Sequence, residues 1–264
     1  MAKIRIDPAI DIGAPSDEVL ARYLRPGTLT LAAMPPLSLY VHLPWCLKKC
    51  PYCDFNSHQH EGVIPEARYL DALRLDLEAA LPLIWGRRVM SVFIGGGTPS
   101  LFSPEAIDRL IGDIRARLPL EPGCEITLEA NPGTFERDRF RGYRAAGVTR
   151  LSVGVQSFDD AKLAALGRVH DAAQARAALE EASAAFDTFN LDLMYALPGQ
   201  TLAELQADLR QALDFKPPHL SIYHLTIEAG VNRLGVPPPM KIVCTRRPQM
   251  KGSAASRSAL SAPR

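Results

Sequence analysis

Apolar and polar positions follow two periods along this chain, and the period switches repeatedly from Leu37 onward. Short β-rich runs stand at LSLYVHL (37–43), VMSVFI (89–94), EITLEA (125–130), RLSVGV (150–155), FNLDLMY (189–195) and HLSIYHLT (219–226). Between them lie segments with helical spacing. Residues 66–81 put Leu70, Leu73, Leu77 and Leu81 on one stripe. Ser103–Pro104–Glu105 combines an N-cap, a proline at the first helical position and an early acid, and predicts a helix to about Leu118. Further helices are predicted over Glu136–Ala146, closed by Gly147 as C′ residue, and over 159–166, 171–185 and 202–214. Strands alternating with helices of this length imply an α/β fold of right-handed βαβ units around a parallel sheet. Six such units, with polar residues at the C-terminal ends of strands, predict a full or partial TIM-type (βα)6 barrel. A doubly wound sheet stays open on periodicity alone.

The two ends depart from this pattern. Residues 1–36 are broken up by Pro8, Pro15, Pro26, Pro35 and Pro36, and read as an N-terminal extension with one short helix near Asp17–Leu24. Residues 37–230 form the core. Residues 231–264 hold seven Lys or Arg, five prolines and no Asp or Glu, a composition that cannot bury enough to offset its ordering entropy. One reading is an irregular basic tail. The other is a shifted frame or truncation in place of a C-terminal domain, which accounts for a pattern that stops after the sixth strand.

Composition narrows the function classes. Apolar residues make up 47%, charged residues 22%, and the net charge is +1. No basic field calls for nucleic acid or an anionic membrane surface. No apolar run approaches the roughly 20 residues of a membrane span, and MAKIRIDPAIDIG lacks the apolar core of a secretory signal. A cytoplasmic protein with reduced thiols is expected.

The chemistry concentrates in YVHLPWCLKKCPYCDFN (40–56), where Cys46, Cys50 and Cys53 stand in C-x3-C-x2-C spacing after a strand. Thiolates this close can face one point, as at a metal or cluster site. A structural zinc wants four ligands, which would recruit His58 or His60. A cubane iron–sulfur cluster normally takes four cysteines, so three would leave one iron open for a ligand. A disulfide is disfavoured by the sparse cysteines and missing signal peptide. Gly95–Gly97 at the end of the second strand is by itself more often a tight turn than a site. Glu129, Gln156 and Asp192 sit at the C-terminal ends of strands three, four and five, where barrel sites are built, although singly each could be a cap or turn residue. His42 reads equally as a group behind the site or a satisfied core histidine, and His224 reads better as a satisfied buried histidine than as one facing the barrel mouth.

Taken in order, YVHLPWCLKKCPYCDFNSH, FIGGGTPSLF, LEANPGT, RLSVGVQSFDD, LGRVH and LDLMYALPGQT resemble the radical S-adenosylmethionine (SAM) superfamily, and within it the oxygen-independent coproporphyrinogen III oxidase family. The resemblance spans roughly Pro36 to Glu228. True oxidases of that family carry a further cysteine two residues after the third cluster ligand. Phe55 stands there in this chain, and the CDFNS continuation is similar to the family's heme chaperone branch. The resemblance implies a 4Fe–4S cluster on Cys46, Cys50 and Cys53, with SAM chelating the fourth iron and cleaved to methionine and a 5′-deoxyadenosyl radical on electron transfer. It further implies SAM contacts from Tyr40, Tyr52, Gly96, Gly97, Thr98, Glu129, Gln156, Arg168 and Asp192. Taken without the family, Arg168 could equally be a surface arginine. Heme or porphyrin as ligand, and heme-acceptor proteins such as respiratory enzymes as partners, follow from the branch. The alternatives are oxidative decarboxylation of coproporphyrinogen III and a zinc-binding structural domain.

Overall fold

The computed structural model describes residues 35–84, 86–133, 139–227 and 242–245. The helix expected near Asp17–Leu24 lies outside them, as do residues 134–138 and most of the 231–264 segment. By compactness the chain divides into Met1–Pro36 and Leu37–Arg264, and the following concerns the second unit.

Its strands are β1 (Leu37–Leu43), β2 (Trp45–Cys46), β3 (His58–Gln59), β4 (Val89–Gly96), β5 (Leu120–Ala130), β6 (Arg150–Gln156), β7 (Phe189–Tyr195), β8 (His219–Ile227) and β9 (Ile242–Thr245). The helices are α1 (Glu66–Ala80), α2 (Pro104–Arg117), α3 (Phe140–Ala146), α4 (Asp160–Ala165), α5 (Ala172–Ala185) and α6 (Leu202–Asp214). Each expected strand and helix of the core is present among the described residues, with ends shifted by a few positions. The helix expected from Glu136 is described from Phe140. Reading 231–264 as irregular left no strand there, whereas β9 lies antiparallel on β8.

The main sheet runs β1-β4-β5-β6-β7-β8-β9, parallel throughout except for β9. A doubly wound sheet reverses its strand order at a switch point. This order never reverses across the six parallel strands, so right-handed crossovers carry every helix to the same face. The result is a half-barrel of six parallel strands, the partial TIM-type barrel, with its polar inner face open.

Side-chain alternation separates the two faces. Val92 and Ile94 of β4, Ile126 and Leu128 of β5, Leu151, Val153 and Val155 of β6, and Leu191 and Leu193 of β7 are buried in one apolar core. Ile107, Leu110, Ile111 and Ile114 of α2 and Ala175, Ala178, Leu179 and Ala182 of α5 join it from the helical side. The alternate residues are largely polar and bond across the inner face. Ser152 Oγ donates to Asp192 Oδ2 at 2.8 Å, Asn190 Nδ2 to Asp192 Oδ1 at 2.8 Å, and Ser221 Oγ to Asn190 Oδ1 at 2.9 Å.

Local chemistry fixes the helix ends. Ser103 caps α2 by accepting from Ala106 N, with Pro104 in the first turn. Capping boxes open α5 at Asp171/Gln174 and α6 at Thr201/Glu204. Gly147 closes α3 at φ 105°, a left-handed conformation that favours glycine.

Helix side chains also hold the loops that follow the strands. The buried Tyr143 hydroxyl of α3 lies 2.7 Å from Ser100 O and 2.8 Å from Phe102 O, and Arg139 donates to Leu101 O at 2.6 Å. Asp208 of α6 accepts from Ser157 Oγ at 2.7 Å and from Phe158 N at 2.8 Å, pinning the loop after β6. His170 donates from Nε2 to Val155 O at 3.1 Å. Burial, reinforced by the Arg168 charge, lowers its pKa to about 3. The unfolded chain therefore holds an extra proton between about pH 6.5 and that value, and stability falls as pH drops through the window. Urea midpoints at pH 7 and pH 5 are expected to fall more for wild type than for His170→Asn; equal falls would assign the acid sensitivity elsewhere.

Candidate functional site

The cysteine loop is closed by a two-strand clasp. β2 and β3 pair Trp45 with His58 and Cys46 with Gln59, while His58 N donates to Pro44 O at 2.7 Å and His60 N to Cys46 O at 3.0 Å. Inside the loop, Lys49 Nζ donates to Phe55 O at 3.0 Å and Ser57 O at 2.9 Å. This ammonium supplies three donors to a stretch with few backbone partners. His42 Nε2 anchors the loop to β1 through Asn56 O at 2.8 Å.

The loop lies over the C-terminal ends of the parallel strands, where the half-barrel leaves a cavity of about 380 Å³. That volume is in the range of small-molecule sites. Cys46, Cys50 and Cys53 all line it, together with Tyr52, Gly96, Gly97, Thr98, Glu129, Gln156, Arg168 and Asp192. The sequence thus locates eleven residues that the fold brings to one cavity.

Tyr40 stands apart from these eleven. It does not line the cavity: its register partner is Phe93, on which its ring stacks at 6.2 Å, and its hydroxyl bonds His42 Nδ1 at 3.0 Å. Tyr40 stands three residues before the end of β1. His58 and His60 are likewise turned to local partners, Asn56 Oδ1 at 2.9 Å and Val63 O at 3.0 Å. Neither lines the cavity, so neither is placed as a fourth ligand.

Among the described residues, no three His, Cys, Asp or Glu side chains are gathered as ligands of one metal ion. The thiols do sense one another. Burial pushes the Cys46 thiol up, a hydrogen bond from Thr98 opposes this, and the charges of Cys53 and Cys50 add to the rise. Cys53 Sγ lies 3.6 Å from Ser57 Oγ. Three thiols on one cavity, with hydroxyls beside two of them, suit a multi-iron cluster whose sulfurs accept hydrogen bonds.

The strand ends are shaped for close approach. Gly97 N donates to Leu43 O at 2.8 Å and Thr98 N to Trp45 O at 2.7 Å. A Cβ on Gly97 would lie 2.6 Å from Trp45 O, so only glycine fits between the cysteine loop and β4. Gly96 N donates to Glu129 Oε2 at 3.2 Å, fixing that carboxylate beside the glycines. Gln156 has φ +69°, a conformation uncommon for a non-glycine residue and found preferentially at functional sites. Burial raises the Tyr52 phenol well above its ordinary value, the nearby Arg168 charge opposing.

Arg168 comes from the turn after α4, yet its guanidinium is buried in the cavity wall. Nη2 donates to Asn131 Oδ1 at 2.5 Å and Gly154 O at 3.0 Å, and Nη1 lies 3.7 Å from Cys50 Sγ. Its Nε has no hydrogen-bond partner among the described residues. A buried donor of this kind suits an anionic group in the cavity. Sequence reasoning missed Asn131, which also donates from Nδ2 to Thr98 Oγ1 at 3.1 Å. Its position directly after the third strand was the available signal.

The radical SAM superfamily model matches residues 40–212. This chain belongs to the radical SAM superfamily. The family implies a 4Fe–4S cluster and SAM, and the thiols, glycines and buried Arg168 donor fit both. The chain is 52% identical over 212 residues to the heme chaperone HemW of Haemophilus influenzae, covering 78% of this chain and 55% of that protein. It is also 52% identical to the HemW of Escherichia coli, over 80% of this chain and 56% of that one. The chain thus spans about half the length of these relatives. The solved coproporphyrinogen III oxidase HemN from Escherichia coli superposes with TM-score 0.66 at 35% identity, over 72% of this chain and 44% of that chain. The methyltransferase TsrM from Kitasatospora setae shares the fold alone, with TM-score 0.55 at 11% identity. No described helix is long and apolar enough to cross a membrane.

Proposed function

We propose that residues 37–230 are the radical SAM core of a heme chaperone, with 1–36 an N-terminal extension and 231–264 a C-terminal segment that adds β9 to the edge of the core sheet. In this reading Cys46, Cys50 and Cys53 ligate three irons of the cluster. Tyr52, Gly96, Gly97, Thr98, Glu129, Gln156, Arg168 and Asp192 hold SAM. Heme is bound and passed to acceptor proteins such as respiratory enzymes, in the cytoplasm, where thiols stay reduced.

When bound, the reduced cluster supplies the electron that cleaves the sulfonium of SAM. The chain's own residues prepare the place for it. Carbonyls around Gly96 and Gly97 can accept from an ammonium, and Arg168 Nε can donate to a carboxylate. The Glu129, Gln156 and Asp192 side chains supply polar atoms at the ends of three successive strands. Ser152 and Asn190 hold the Asp192 carboxylate by hydrogen bonds, which keeps it oriented.

The observation that favours a chaperone over an oxidase is Phe55. An apolar ring lines the cavity and is about half exposed, where the oxidase pattern has a further cysteine. The similarity to HemW proteins points the same way. Val169, also half exposed on the cavity wall, extends this apolar rim. Anaerobic incubation of the reconstituted chain with coproporphyrinogen III, SAM and a reductant is expected to give no protoporphyrinogen. Added heme is expected to shift the Soret band. Protoporphyrinogen formation would overturn the proposal in favour of the oxidase.

A further inference from the structure

The three cysteines do not share the same surroundings. Cys53 lies 3.6 Å from the neutral Ser57 Oγ, and Cys46 lines the cavity with the neutral Thr98. Cys50 alone faces a guanidinium, with Arg168 Nη1 at 3.7 Å. The guanidinium is held from behind by Asn131 Oδ1 and Gly154 O. Asn131 is in turn bonded to Thr98 Oγ1, and its backbone N donates to Ser100 Oγ at 3.2 Å. A continuous path therefore runs Thr98–Asn131–Arg168–Cys50, tying the loops after β4 and β5 and the turn after α4 to this one cysteine.

The geometry points to Arg168 as a positioning and tuning residue for the cluster: clamped by Asn131, it donates to the Cys50 thiolate and favours the reduced state. This rests on the cluster reading given under the proposed function. Reduction adds one negative charge, and a part-buried cation beside a ligating sulfur stabilises the more negative state with less screening than at the open surface. Such outer partners commonly tune a metal site without touching the metal. The clamp matters because an arginine free to swing into the cavity would trade its sulfur contact for water or ligand.

The test is a redox titration of the reconstituted chain without SAM, with iron content measured on each sample. Arg168→Met is expected to lower the equilibrium constant for one-electron reduction about tenfold, a midpoint about 59 mV more negative. Asn131→Ala, which keeps the arginine but frees it, is expected to move the midpoint the same way by less. Arg168→Lys, which keeps the charge, is expected to fall between wild type and Arg168→Met. Equal midpoints at equal iron content would overturn the inference while leaving the cluster reading intact. If Arg168→Met fails to load iron, Asn131→Ala decides by the same criterion. A wild-type chain that loads no iron would instead overturn the cluster reading.

Discussion

Replacing Cys50 with alanine is expected to remove nearly all bound iron after anaerobic reconstitution, from about four irons per chain to a small residue. Two thiolates cannot hold a cubane against loss to solvent. No other cysteine among those described lines the cavity and could substitute. The variant also leaves Arg168 facing a methyl group where an anion stood. Cys124→Ala serves as the control: that cysteine lies on β5 away from the cavity, and its loss should leave iron content unchanged. Retention of wild-type iron and of the same reduced-state spectrum in Cys50→Ala would refute the ligand assignment.

Gly97→Ala is expected to have the next largest effect, through sterics alone. The added methyl would sit 2.6 Å from Trp45 O and 2.7 Å from Pro44 O. Both are backbone atoms, so no flexible side chain can give way. Either the Pro44–Cys46 backbone moves or the bonds from Gly97 N to Leu43 O and Thr98 N to Trp45 O are lost. Overpacking of this kind costs about 1–3 kcal/mol, and the displacement falls on the segment that carries Cys46. A lower urea midpoint and faster iron loss are expected together. Gly112→Ala provides the contrast, since nothing lies within 4 Å of its added methyl. In mid-helix α2 it should stabilise by about 0.5–1 kcal/mol. A Gly97→Ala chain as stable as wild type would show that the approach of the cysteine loop to β4 is not tight.

The framework was readable because period and caps are local. Leu70, Leu73 and Leu77 mark α1, Ser103–Pro104 opens α2, and Gly147 ends α3, each within a few residues of its partners. β5 was legible only from Glu125, because Pro122 and Gly123 interrupt the strand pattern before it. In the fold the register slips between Val89 and Ser91, and residues 121–124 are absorbed there while the strand runs on from Leu120. The antiparallel β9 gave no signal, since a four-residue edge strand among basic and proline-rich neighbours has no pattern of its own.

Site residues divide along the same line. The cysteines announce themselves by spacing, and Gly97, Glu129, Gln156 and Asp192 only by standing at strand ends. Asn131, Ser152 and Asn190 act through partners 31 to 40 residues away. Which residues face each other is decided by strand register rather than by neighbours in sequence. Tyr40 shows the converse. Its spacing puts it on one face with His42, but which groups its ring and hydroxyl meet, Phe93 and His42, is set by the register of β1 on β4.

The most direct test of the account is the electron paramagnetic resonance spectrum of the reduced, reconstituted chain before and after SAM is added. A three-cysteine cubane has one iron open to an added ligand, so the account predicts a cluster signal whose g values shift with SAM. The shift should be weakened in Arg168→Met. A reduced-cluster signal that SAM leaves unchanged would contradict an open iron facing the cavity, and with it the assignment of this site.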